Sequence, residues 1–206
     1  AHAVNQEQLL EVAAGPAVDL SELRTQFFVE GSPYYSEAVA EAWLTHDPVV
    51  AADLVQQYMD DPARSDGREV GEPVEVALST VSEPASVELA TAYADFYAEV
   101  GFEVEVERLD QAAVPAAAIG GDYQALLFRM GDDRSPLGEL LLSFGPPELP
   151  TNYSGFNDDV LDDILDRLST ADDLEAQVGL AEEMGLHLAE QVPWQWLGSS
   201  ITFVAT

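Results

Sequence analysis

Hydrophobic positions recur along this chain with two distinct periods. In its middle third, Val74, Val76 and Leu78 alternate with Glu75, Ala77 and Ser79, which predicts a strand with one wetter face. Leu89, Tyr93, Phe96 and Val100 then recur at spacings of four, three and four. That is one face of a helix beginning near Pro84 and stopped by Gly101. Phe102, Val104 and Val106 alternate with Glu103, Glu105 and Glu107. This predicts a second strand whose carboxylates face water, because burying three of them unpaired would be prohibitive. A short alanine-rich segment, 111–118, ends at Gly120-Gly121, and Tyr123 through Phe128 is apolar on both faces, as in a central strand. Strand, helix, strand, connector and strand imply β-α-β units packed in an α/β layer structure.

The flanks read as helices. Residues 5–13 form a short one, with Asn5 as cap and Gly15-Pro16 as stop. Asp47-Pro48 places a capping side chain before a proline at the first helical position, and Ala51, Leu54, Val55 and Tyr58 share a face behind it. Residues 60–73 are polar and broken by Pro62, Gly67, Gly71 and Pro73, the pattern of a surface loop or subdomain junction. The chain thus divides into a helical and loop portion, 1–73, and a β-α-β portion with C-terminal helices, 74–206. In the last third Leu137, Leu140, Leu141 and Phe144 form one stripe, and Asn157 is the expected cap of a helix carrying Leu161, Ile164, Leu165 and Leu168. Thr170 is the expected cap of the next helix, faced by Leu174, Val178, Ala181 and Leu188 and ended by Pro193-Trp194. Ile201, Phe203 and Val204 suggest a final strand. No internal repeat is present.

Charge narrows the partners. The 206 residues carry 39 acidic and 7 basic side chains, all the basic ones arginine, for a net charge of -32. Such a chain repels polyanions, which excludes nucleic acid and disfavours anionic lipid. A hydrophobic fraction of 47% still supplies a core, so the charge does not imply disorder. The absence of cysteine removes disulfides, thiolate nucleophiles and cysteine metal sites. No apolar run reaches the ~18–20 residues of a membrane span, and no signal-peptide core opens the chain. It begins in mid-pattern, with Ala1, Ala3 and Val4 leading into Leu9 and Leu10, as a piece cut from a longer protein would.

The catalytic inventory is poor. His2, His46 and His187 sit in unrelated contexts, and His187, one turn after Glu183, reads as half of a surface helix pair. Carboxylate doublets such as Asp158-Asp159 and Asp162-Asp163 fit helix starts and solvent faces. No metal or cofactor is implied: the calcium-loop pattern fails at Asp61, where Ala63 stands at the third position, and the absence of lysine forbids a phosphate-binding P-loop. There is no Gly-x-Ser-x-Gly elbow, and Asn152-Tyr153-Ser154 matches a glycosylation acceptor only as a string. One segment rises above this background. Leu126-Leu127-Phe128 runs into Arg129-Met130-Gly131-Asp132-Asp133-Arg134-Ser135-Pro136, and the loop leaving the carboxyl end of a sheet strand is where α/β proteins meet ligands. Its charges suit an ammonium or a carboxylate; equally, Ser135 and Pro136 suit an ordinary capped turn. Trp194 and Trp196 suit either a binding wall or packing against the sheet.

The order of these segments resembles the second-lobe region of the family 5 extracellular solute-binding proteins of ABC importers, which include oligopeptide-, dipeptide- and nickel-binding members. The resemblance starts at Ala3-Val4-Asn5-Gln6-Glu7 and continues through Gly31-Ser32-Pro33-Tyr34-Tyr35, Asp47-Pro48 to Leu54, and Val100-Gly101-Phe102-Glu103-Val104. Further on it includes Asp122-Tyr123-Gln124-Ala125, Asn152 to Asn157, and Glu190-Gln191-Val192-Pro193-Trp194. It implies an α/β fold with a mixed sheet flanked by helices, one lobe of a type II periplasmic-binding-protein-like structure. It further implies non-enzymatic extracytoplasmic capture of a small solute, a di- or oligopeptide above all, for delivery to an ABC permease. The protein would be tethered to the membrane, as a lipoprotein is, through a part absent here. Aligned on Pro136, the aspartate that takes a peptide's α-amino group in peptide-binding members falls on Asp132. Arg129, Met130, Gly131, Asp133 and Arg134 would then surround the solute. Phe128-Arg129 stands where the family often has Gly-Trp, and Ser135 where an acidic residue often precedes the proline; both alter the pocket. The resemblance also implies a partner first lobe of the same protein, without which the segment is expected to fold but bind weakly. Two other classes compete: a sensing or protein-interaction module, and a carboxylate-dependent hydrolase.

Overall fold

A computed structural model describes residues 1–15, 18–19, 23–127, 136–146 and 148–198, without the side chains of residues 136 and 139. Its helices are α1 (Gln6–Ala14), α2 (Glu37–Ala42), α3 (Pro48–Asp60), α4 (Pro84–Glu99), α5 (Val114–Gly120), α6 (Pro136–Ser143), α7 (Asp159–Thr170) and α8 (Leu174–Gln191). Its strands are β1 (Val74–Val81), β2 (Phe102–Leu109) and β3 (Ala125–Leu127). Contacts divide the chain into two compact units, one holding α1, α3, α4, the three strands and most of α5, the other α2, α6, α7 and α8. Residue 73 lies inside the first unit, which joins α1 and α3 to the sheet.

In the first unit the strands order as β2-β1-β3, and both pairings are parallel. The three described strands pair in parallel, and β1 lies between β2 and β3. β1 and β2 lie in register from Val74↔Phe102 to Val81↔Leu109. Even-numbered β1 residues Val74, Leu78 and Thr80 are buried, while Glu103, Glu105 and Glu107 on the opposite face of β2 are exposed. Ala90, Tyr93 and Val100 of the α4 region are buried, and an aliphatic side chain the size of Val100 contributes about 1.5–3 kcal/mol by leaving water. Burial pushes the Tyr93 phenol pKa up. Gly101 turns the chain from α4 into β2 at φ +105°, where its amide donates to Ala98 O at 3.2 Å; a side chain there would be strained.

Local signals set the helix starts. Asn5, Ser36 and Asp47 accept from Gln8, Val39 and Val50 amides and cap α1, α2 and α3, each worth roughly 1 kcal/mol. Two caps differ from the sequence reading. Asp158, not Asn157, caps α7 through the Leu161 amide, because Asn157 donates its side-chain amide to Asp162 instead. Asp173, not Thr170, caps α8; Thr170 belongs to the end of α7, its hydroxyl donating to Asp166 and Arg167 carbonyls. The loop at 61–73 is tied down by a buried Arg64. Its guanidinium grips both carboxylate oxygens of Asp66, donates to Glu69 O and Glu72 O at 2.9 and 2.7 Å, and lies 5.4 Å from the Tyr58 ring centroid.

The second unit is helical. Phe144, Leu161, Ile164, Leu168 and Met184 are almost wholly buried and form one core with Leu140, Leu180 and Leu188. Val39 of α2 packs directly on Gly185 of α8, where an added Cβ would lie 2.7 Å from Val39 Cγ2. Arg167 ties α7 to α8, reaching Asp163 at 3.0 Å and both oxygens of Glu183 at 3.0 and 2.9 Å. The final strand expected at Ile201–Val204 lies outside the described residues.

Candidate functional site

The sheet builds a ligand-meeting position from its connections alone. From β1 the chain passes through α4 to β2 on one side; from β2 it returns through α5 to β3 on the other. The winding reverses at β1, so the carboxyl ends of β1 and β3 form a topological switch point, where open α/β sheets take their ligands. The last described pair there is Thr80↔Leu127. Ser79 and Thr80 are 1% and 0% exposed. Ser79 donates its hydroxyl to Glu107 at 3.0 Å, and the Thr80 hydroxyl has no hydrogen-bond partner among the described residues. The Ser82 amide, just beyond β1, donates to Leu109 O at 2.9 Å and ties the ends of β1 and β2 together. Reading Ser79 only as part of an alternating strand missed this pair of buried hydroxyls. Their signal was two adjacent hydroxyl residues at the end of an apolar run.

From Leu127 the chain runs into the segment that the sequence nominates. Arg129, Met130, Gly131, Asp132, Asp133 and Arg134 lie outside the described residues, which resume with α6 at Pro136.

The other sequence candidates have definite places. His187 does not pair with Glu183, which Arg167 takes; its Nε2 meets Asp158 Oδ2 at 2.8 Å, with the Phe156 ring 6.2 Å away. Asp158 is held below the usual carboxylate range, first by the Leu161 amide that donates to it and then by His187. His2 contacts Thr45 O and His46 the Phe96 ring. Among the described residues no group of three or more His, Cys, Asp or Glu could hold a metal ion. Asn152 is 6% exposed and donates to Gly145 O and Phe156 O while accepting from Ser154 and the Gly155 amide. Its amide is consumed in shaping the turn. Trp194 and Trp196 pack on aromatics of their own unit: Trp194 on Phe144 at 4.9 Å, Trp196 on Phe27 at 5.8 Å, and on each other at 5.4 Å.

Two hollows accompany these features. A cavity of about 20 Å³ under Phe27, Val39, Trp43 and Trp196 has room for little more than a water. An open groove of about 460 Å³ lies at the amino end of the sheet, between Asp66, Arg68, Glu75, Glu103, Glu105 and Gln124. Arg68 is already paired with Glu75 at 2.9 Å there, and Gln124 accepts from the Ala77 amide at 2.7 Å. No described helix is long and apolar enough to cross a membrane.

Comparison with known proteins places this geometry. The mannohexaose-bound periplasmic oligopeptide-binding protein of Thermotoga maritima matches 96% of the chain at 17% identity with a TM-score of 0.77. NikZ of Campylobacter jejuni, solved with Ni(L-His), matches 95% at 17% identity and 0.74. NikA of Brucella suis, solved with Fe(III)-EDTA, matches 96% at 17% identity and 0.69. The chain spans 39%, 39% and 40% of these three proteins, about two fifths of their length. No curated protein matches it. The family model for the middle region of bacterial extracellular solute-binding proteins, family 5, matches residues 1–148. The chain therefore belongs to the family 5 bacterial extracellular solute-binding proteins.

Proposed function

We propose that the protein of which this chain forms a lobe captures a small solute, most specifically a di- or oligopeptide, outside the cytoplasmic membrane and hands it to an ABC importer permease. It does so without catalysing a reaction. The observation that carries this reading is family membership over residues 1–148, joined to a parallel sheet whose β3 leads from the switch point into the charged segment 129–134. In that reading Asp132 receives the peptide's α-amino group, a charge-assisted contact stronger than a neutral hydrogen bond. Arg129, Met130, Gly131, Asp133 and Arg134 set the pocket around it. The first lobe supplies the opposing wall, and a segment elsewhere in the protein tethers it to the membrane.

Solutes bound by similar structures, a nickel–histidine complex and mannohexaose among them, define the alternatives to test. Thermal-shift screening of the full-length protein against di- to pentapeptides, nickel–histidine and manno-oligosaccharides separates them, since a ligand binding only the folded state raises Tm in proportion to its occupancy. Stabilisation by peptides supports the proposal. Stabilisation by the metal complex or sugar alone overturns the peptide assignment, and hydrolysis of a bound peptide overturns the non-catalytic one.

A further inference from the structure

The carboxylates of this fold are crowded on shared faces, and most of the described arginines are already engaged. Parallel in-register pairing sets Glu75 beside Glu103, and Glu103, Glu105 and Glu107 follow one another on a single face of β2. Alternate residues on a strand stand about 6.6 Å apart and neighbouring strands about 4.8 Å. Along α7, Asp159, Asp162, Asp163 and Asp166 crowd one helix. Against these the chain has no lysine and seven arginines. Of the five arginines described, Arg64 is closed on Asp66, Arg68 on Glu75, and Arg167 on both Asp163 and Glu183, while Arg24 donates to Phe27 O and Arg108 is exposed on the other face of β2.

From this we infer that the folded state depends on dissolved salt: it is held by a diffuse cloud of monovalent cations, with no cation bound at a discrete site, and loosens as ionic strength falls. The distances decide it. At about 0.1 M salt the Debye length of about 10 Å exceeds the spacing of these carboxylates, whereas at about 1 M it is about 3 Å and falls below that spacing. Net charge this far from zero destabilises a compact state through self-repulsion. Hydrophobic burial supports the fold at either concentration, so salt changes its margin and not its topology.

The test is thermal unfolding of the full-length protein and of its E103Q/E105Q variant, in KCl and in choline chloride. Both substitutions fall on exposed positions and leave the folded core untouched. The wild-type Tm should rise by about 10 °C or more between about 0.1 M and about 1 M salt, equally with either cation. The variant should melt about 3 °C higher at the lower concentration and converge on the wild type at the higher one. A flat wild-type response, a gain with potassium alone, or a variant that keeps its offset at high salt would each overturn the inference.

Discussion

Asp158 faces two ways: its Oδ1 accepts from the Leu161 amide at 2.8 Å and caps α7, while its Oδ2 meets His187 Nε2 of α8 at 2.8 Å. One carboxylate thus starts one helix and fastens it to the next. Its charge also lies where the α7 dipole favours it. Replacing it with alanine removes both contacts and should cost about 1–2 kcal/mol. Asp158→Ser keeps a capping oxygen but loses the histidine contact and the charge at the α7 dipole, so it should recover part of that loss. Urea titration of the two variants checks the split.

The same residue gives a pH signature. Its pKa is depressed in the folded state below the ordinary 3.8. Its contribution is therefore complete above that value and is lost as pH falls through the lower folded-state value. Stability measured from pH 6 down to about pH 2 should fall less steeply in Asp158→Ala than in the wild type. Parallel curves would contradict the assignment.

Two glycines of α8 make a matched pair. Alanine at Gly179 meets nothing within 4 Å, whereas at Gly185 its Cβ would lie 2.7 and 3.0 Å from the two Val39 methyl carbons. Gly179→Ala should stabilise by up to about 1 kcal/mol through helix propensity. Gly185→Ala gains the same propensity and loses about 1–3 kcal/mol to overpacking against a stiff β-branched side chain. Its net effect should be destabilising, and Val39→Ala in the same chain should relieve it. Denaturation midpoints of the three variants decide this.

Asn152 should remain unmodified in a glycosylating host, because its side-chain amide already donates to Gly145 O at 2.7 Å and Phe156 O at 3.1 Å. Asn152→Ala would leave those carbonyls without their donor and cost about 1–3 kcal/mol. Intact-mass measurement and urea titration test the two halves of this statement.

Much of the first unit was legible in periodicity. β1 and β2 fall where Val74–Leu78 and Phe102–Val106 alternate, and α4 where Leu89, Tyr93, Phe96 and Val100 recur. The solvated carboxylate face of β2 followed from the cost of burying charge. What escaped was tertiary. Tyr123–Phe128 reads as a central strand, yet the Gln124 side chain takes the Ala77 amide and the described strand starts only at Ala125, beside β1. Leu54 is on the helical face predicted for α3 but is 52% exposed. α2 gave no readable period in six residues, and is held by the Ser36 cap and by Val39 against α8. His187 looked paired with Glu183 because i,i+4 spacing is visible in a sequence, while Asp158, twenty-nine residues away, is not. Asp132 and its neighbours rest on order and spacing within the family pattern.

The central claim is that Asp132 receives the amino group of a bound peptide, and a double comparison tests it most directly. Isothermal titration would measure the full-length protein and its Asp132→Asn variant against one peptide with a free amino terminus and the same peptide N-acetylated. The account predicts that the wild type prefers the free amine by roughly tenfold or more, as loss of one charge-assisted contact of about 1.5–3 kcal/mol implies. The variant should lose that preference while binding the acetylated peptide as the wild type does. An unchanged preference in Asp132→Asn would contradict the account.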